Sequence, residues 1–266
     1  MMSTILPDDD LDSRPPAAAL ADPIAEGQRV VRAGADTGVL LRLLGGVAVF
    51  LHAPDGKPLL GRSINDIDLV TPRGGKRAVA DLFQSLGYVE DEVFNAFHGA
   101  HRQIYVDLTN QRKVDVFVGS FSMCHEIPIA DRLEREPLTI PLAELLLTKL
   151  QIVELNERDE RDIYNLCFHH DLSAGDRPGI EASLIADLCA RDWGLWRTCK
   201  GTIERCRVDL AGYGLGEQER AVIDARLAGL WAAIEAAPKT SKWRWRAKVG
   251  ERVRWYEEPE EEAKAD

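Results

Sequence analysis

The sequence predicts a mixed α/β domain followed by a helical one. Up to residue 140, short β-branched or apolar runs alternate with amphipathic stretches. Two extended runs, RQIYVDL and KVDVFV, flank the polar turn Thr109-Asn110-Gln111-Arg112 and read as a β-hairpin. Beyond Pro141 the apolar spacing becomes helical almost to the end.

The 266 residues suffice for one large domain or two modest ones. A formal net charge of -11 argues against a protein that coats nucleic acid without specificity. No apolar run is long enough for a membrane span, so no membrane partner is expected. The acidic, Pro-rich start lacks the basic and apolar regions of a signal peptide. Five cysteines without a C-x-x-C pair fit reduced thiols in a cytoplasmic protein.

Residues 1–22 read as a disordered tail rich in Asp, Pro and Ala. The α/β core spans 23–140. Its first helix runs from Pro23 to about Gly38, followed by a buried strand over 39–44. Gly45-Gly46 then opens a short helix over 47–52, stopped by Ala53-Pro54-Asp55-Gly56. INDIDLV is the next strand, and side chains two apart on a strand share a face, so Asp66 and Asp68 stand side by side. Val79, Leu82, Phe83 and Leu86 mark a helix closed by Gly87. In the hairpin's second strand Val114, Val116 and Val118 face one way; Lys113, Asp115 and Phe117 face the other. Residues 137–140 are extended. The helical domain spans 141–257, with 141–170 helical throughout, a polar break at 171–179 and two or three helices over 181–237. An acidic tail, 258–266, ends the chain.

Two carboxylates on one face repel unless a cation lies between them, and hard divalent cations prefer oxygen ligands. A Gly-Gly turn lets backbone amides approach an anion closely. The ordered set, Gly45-Gly46, Asp66 with Asp68, then Asp115 on a later strand, therefore reads as a Mg²⁺ site beside a phosphate cradle.

This order resembles the nucleotidyltransferase superfamily related to DNA polymerase beta, whose hallmark is a Gly-Gly or Gly-Ser turn, an acidic pair on a strand and a third acid. LLLTKLQIVELNERDERDIYNL is similar to the helical segment of the abortive-infection type, some of whose members are toxins of toxin–antitoxin pairs. Lys149-Leu150 and Arg161-Asp162 sit where that group has its Lys-Leu and Arg-Asp steps. The likeness covers roughly residues 41–166. It departs from the pattern in a longer gap between Gly46 and Asp66, where PDGKPLLG looks inserted, and in Asn165, where a second Asp often stands.

The resemblance implies a mixed sheet flanked by helices and transfer of a nucleoside monophosphate from an NTP to an acceptor hydroxyl. Asp66 and Asp68 would hold one Mg²⁺, and Asp115 would complete a two-metal site and help deprotonate the acceptor. Gly45-Gly46 would hold the outer phosphates, with Lys149 a point cation beside them. Asp162 would orient Lys149 or pair with Arg158 at i,i+4 spacing, and the spacing favours the local pair. The acceptor is left open among RNA, protein and small molecule, and an antitoxin-like partner follows from the family alone. Two alternatives are a catalytically silent NTP-binding module and a helical interaction protein.

Other residues invite chemistry less strongly. Asp107 rivals Asp115 as third carboxylate, but Val114 and Val116 around Asp115 match the superfamily pattern, so the resemblance favours Asp115. His98 and His101 form an H-x-x-H without a third ligand and read as loop histidines. His169 and His170 read as residues at a helix end, favoured by the dipole when charged. Cys199 and Cys206 share a helical face and read as core. The segment 239–256 interleaves tryptophans with Lys and Arg; RNA stacking competes with packing on the helical domain, and packing is favoured.

Overall fold

A computed structural model describes residues 18–174 and 177–258; residues 1–17 and 259–266 of the two expected tails lie outside them. The chain runs α1 (Pro23–Asp36), β1 (Arg42–Leu44), α2 (Gly45–Leu51), β2 (Ile67–Thr71), α3 (Lys76–Ser85), β3 (Val89–Glu90), α4 (Glu92–His98), β4 (Arg102–Asp107) and β5 (Arg112–Val118). Two small strands follow, β6 (Ser120–Ser122) and β7 (Glu126–Pro128), then α5 (Leu142–Leu150) and α6 (Glu157–His169). The remainder is β8 (Leu172–Ser173), β9 (Ile180–Glu181), α7 (Ala182–Arg191), α8 (Trp193–Asp209), α9 (Glu217–Ala236) and α10 (Ser241–Val249).

The main sheet is mixed, in the order β1-β2-β5-β4-β3. β2 and β5 run parallel at its centre, and every other pair is antiparallel. The hairpin forms over the turn expected, and Gln111 takes a positive φ of 50° there. Val114 and Val116 are fully buried, while Lys113, Asp115 and Phe117 turn to a cleft on the opposite face. Period-two alternation is thus realised with one apolar and one chemical side.

The first helix starts where Asp22 accepts a hydrogen bond from the Ala25 amide (2.7 Å) and Pro23 enters the first turn. The extended piece near 139 joins the sheet edge: Leu43 N–H donates to the Leu138 carbonyl and Ile140 N–H to Leu43.

The single helix expected over 141–170 is instead two. α5 ends at Leu150, and Asn156 caps α6 by accepting from the Arg158 and Asp159 amides. An Asn cap competes with helix continuation, and this one reorients the chain. The C-terminal helices pack as a bundle whose core is continuous with that of the sheet. Cys199 and Cys206 lie in that core, and all five cysteines are buried and free. Trp243 and Trp255 pack against Trp196 and Trp193 at centroid separations of 5.2 and 6.3 Å, whereas Trp245 stays exposed. No helix among the described residues is long and apolar enough to cross a membrane.

Candidate active site

The parallel register sets Asp68 directly beside Asp115, and Asp66 precedes the same strand on the same face. Neighbouring residues in register point the same way, so the sheet brings the three acids to one place. All three line a cleft of about 450 Å³ that also receives Arg102, Lys113 and Lys149. Phe117, Phe121, Met123 and Ile152 are among its apolar lining residues.

The acids differ in what neutralises them. Asp68 faces Asp66 and Asp115; burial first, then those two charges, push its carboxyl up to about 7. Neither Asp66 nor Asp68 has an ion-pair partner among the described residues. On Asp115, Oδ1 accepts from Arg102 Nε (2.8 Å) and lies 2.7 Å from Nη2, while Oδ2 lies 2.8 Å from Lys113 Nζ.

Gly45 and Gly46 make room for side chains. Gly45 takes a positive φ of 64°, and a Cβ there would collide with the Asp68 carboxylate. A Cβ on Gly46 would strike the Arg62 guanidinium. Arg62 is a cation of the site that the sequence reading missed. It forms a two-pronged pair with Asp162, Nε to Oδ1 at 2.8 Å and Nη2 to Oδ2 at 2.7 Å.

Asp162 does not take the local pairing with Arg158. It binds Arg62 and Lys149, whose Nζ is 3.0 Å from both Asp162 and Asp159. Burial alone would raise the Asp162 carboxyl, but the two cations outweigh it and hold it below the usual range. Burial would likewise lower the Lys149 ammonium, but Asp162 and Asp159 raise it instead. The expected i,i+4 partnership belongs to Arg161 and Glu157.

Asn165 and the loop that precedes β2 are bonded to each other. The Leu60 amide donates to Asn165 Oδ1 (2.9 Å), and Asn165 Nδ2 donates to the Leu60 carbonyl (2.8 Å). A carboxylate cannot offer that donor. Arg161 adds a bond to the Gly61 carbonyl, so three residues of α6 fasten the extra loop and deliver Arg62 to Gly46.

The remaining candidates lie elsewhere. Asp107 caps the far end of the hairpin and pairs with Arg112. His98 packs on Phe94 at 4.7 Å. His169 ends α6 and His170 follows it; burial lowers both imidazoles, which disfavours their charged forms, and His170 bonds the His52 carbonyl.

No family model matches the chain, and no curated protein matches it. Among solved structures, that of the antibiotic-resistance factor ANT(2″)-Ia is similar at 12% identity and a TM-score of 0.34, over 80% of this chain and 93% of that one. The functional reading therefore rests on the cleft itself.

Proposed function

We propose that the protein transfers a nucleoside monophosphate from an NTP to an acceptor hydroxyl, with Mg²⁺ as cofactor. The observation that supports this is the pairing of Asp68 with Asp115 across parallel strands, with Asp66 beside them, in a cleft lined by both charged and apolar side chains. A nucleotide offers both kinds of surface, in its phosphates and its base.

The donor set fits a hard cation. Among the described residues no three His, Cys, Asp or Glu side chains gather into a ready metal cage. Magnesium is usually held by one or two carboxylates together with substrate phosphates, and Asp66 and Asp68 are two carboxylates on one face with no ion-pair partner among the described residues. Bound there, it would supply Lewis-acid charge to the triphosphate oxygens.

The protein's own groups do the rest. Phe117, Phe121 and Ile152 offer the base an apolar wall. Gly45 and Gly46 keep the turn open, while Lys149, which lines the cleft, gives the outer phosphates positive charge. The acceptor oxygen bonds the α-phosphorus, the bond to the bridging oxygen breaks and pyrophosphate leaves. A cleft carboxylate takes the hydroxyl proton. The toxin role and its antitoxin-like partner remain part of the family likeness.

Incubation with each α-labelled NTP and Mg²⁺ tests the reading. Pyrophosphate release and label on RNA, protein or a small acceptor are expected. Their absence with all four nucleotides, in wild type, overturns it.

A further inference from the structure

A two-metal mechanism needs an oxygen of Asp115, and both are already taken. Arg102 holds Oδ1 through two nitrogens at 2.8 and 2.7 Å, and Lys113 holds Oδ2 at 2.8 Å. These are close, charge-assisted contacts to a carboxylate side chain only 3% exposed. Arg102 is itself fixed, since its guanidinium lies 5.4 and 5.5 Å from the ring centroids of Phe94 and Phe117. Lys113 issues from the same strand two residues before Asp115, so the pleat points both into the cleft. A divalent ion on Asp115 would have to displace one of them or stand against both positive charges. Asp66 and Asp68 have no ion-pair partner among the described residues; Lys149 and Lys113 act on Asp68 only at longer range.

We propose that Arg102 and Lys113 supply, as fixed charge, what a second metal ion would supply, so that one divalent ion binds at Asp66 and Asp68. Asp115 is then a positioning residue that holds the two cations toward the phosphates. This rests on the nucleotidyl-transfer reading for its purpose, but its metal stoichiometry can be measured apart from turnover.

Titration of the full chain with Mn²⁺, free ion followed by electron paramagnetic resonance, gives the number of sites. Wild type should bind one ion. Asp68→Asn should weaken it at least tenfold, and Asp115→Asn by no more than about threefold. The double variant Arg102→Gln with Lys113→Gln should gain a second ion, because it bares the Asp115 oxygens. Arg102→Lys, which keeps the charge, should still bind one. Two ions in wild type, or equal losses in Asp68→Asn and Asp115→Asn, overturn the proposal. So does a double variant that folds by circular dichroism and still binds one ion. Should Asp115→Asn fail to fold, Lys113→Gln alone decides: a second ion is expected, and an unchanged count overturns. A chain that follows this pattern yet releases no pyrophosphate from any NTP loses the transfer reading and keeps the charge assignment.

Discussion

The β4–β5 hairpin carries an Arg–Asp pair at each end, and the two have opposite surroundings. At the turn, Asp107 accepts from Arg112 (2.8 Å), the Thr109 and Asn110 amides and the Asn110 side chain, while Arg112 also donates to the Leu20 and Ala21 carbonyls. Protein groups surround it, with side chains 4% and 3% exposed. At the other end Arg102 and Asp115 form a pair of similar length that opens on a 450 Å³ cleft, with Lys113 added. One pair closes a hairpin and the other leaves charge facing a space that substrate can fill. Both are Arg–Asp pairs joining β4 to β5; what differs is that protein encloses one and the other borders a cleft.

That contrast predicts that stability and activity separate along one hairpin. Asp107→Ala strands Arg112 in the interior and should cost about 3–5 kcal/mol in urea unfolding. Arg102→Ala should cost much less, because Lys113 stays on Asp115. Equal costs would remove the distinction. Asp68→Asn should lower pyrophosphate release about 10²–10³-fold, as loss of a preorganised transition-state group does. Asp107→Asn, if folded, should leave it within about threefold.

The cleft should also show itself in pH. With its carboxyl pushed up to about 7 from 3.8, Asp68 keeps in the folded state a proton that the unfolded chain releases. Stability should therefore fall as pH rises through that window in metal-free buffer, and Asp68→Asn should flatten the fall. A melting temperature that climbs over the same range would contradict this. The smallest effect concerns the loop: Asn165→Ala should cost roughly 1 kcal/mol and speed hydrogen exchange at the Leu60 amide. Asn165→Asp keeps the acceptor for the Leu60 amide and loses only the donor to the Leu60 carbonyl, so exchange at that amide should rise less than in Asn165→Ala.

Much of the molecule was legible without coordinates. The hairpin, the faces of β5, the acidic pair and the helix over α3 follow from alternation, turn residues and apolar spacing, all properties of short stretches. Ala-Glu-Leu-Leu-Leu and Glu-Arg-Asp-Glu-Arg both look helical, so the break between α5 and α6 was hidden; only the Asn156 cap marks it. Asp162 shows the same limit, since local spacing offered Arg158 while the fold supplied Arg62, a hundred residues away.

The sequence alone determined which carboxylates share a strand face, because the two-residue period is local to the chain. Only the tertiary structure, through the parallel register of β2 and β5, set Asp115 beside Asp68 and decided which acids gain cationic partners. Arg102 and Lys113 reach Asp115, and Arg62 and Lys149 reach Asp162, across strands, a loop and two helices. Electrostatic neutralisation depends on distance in space and on excluded water, neither of which the order of residues records.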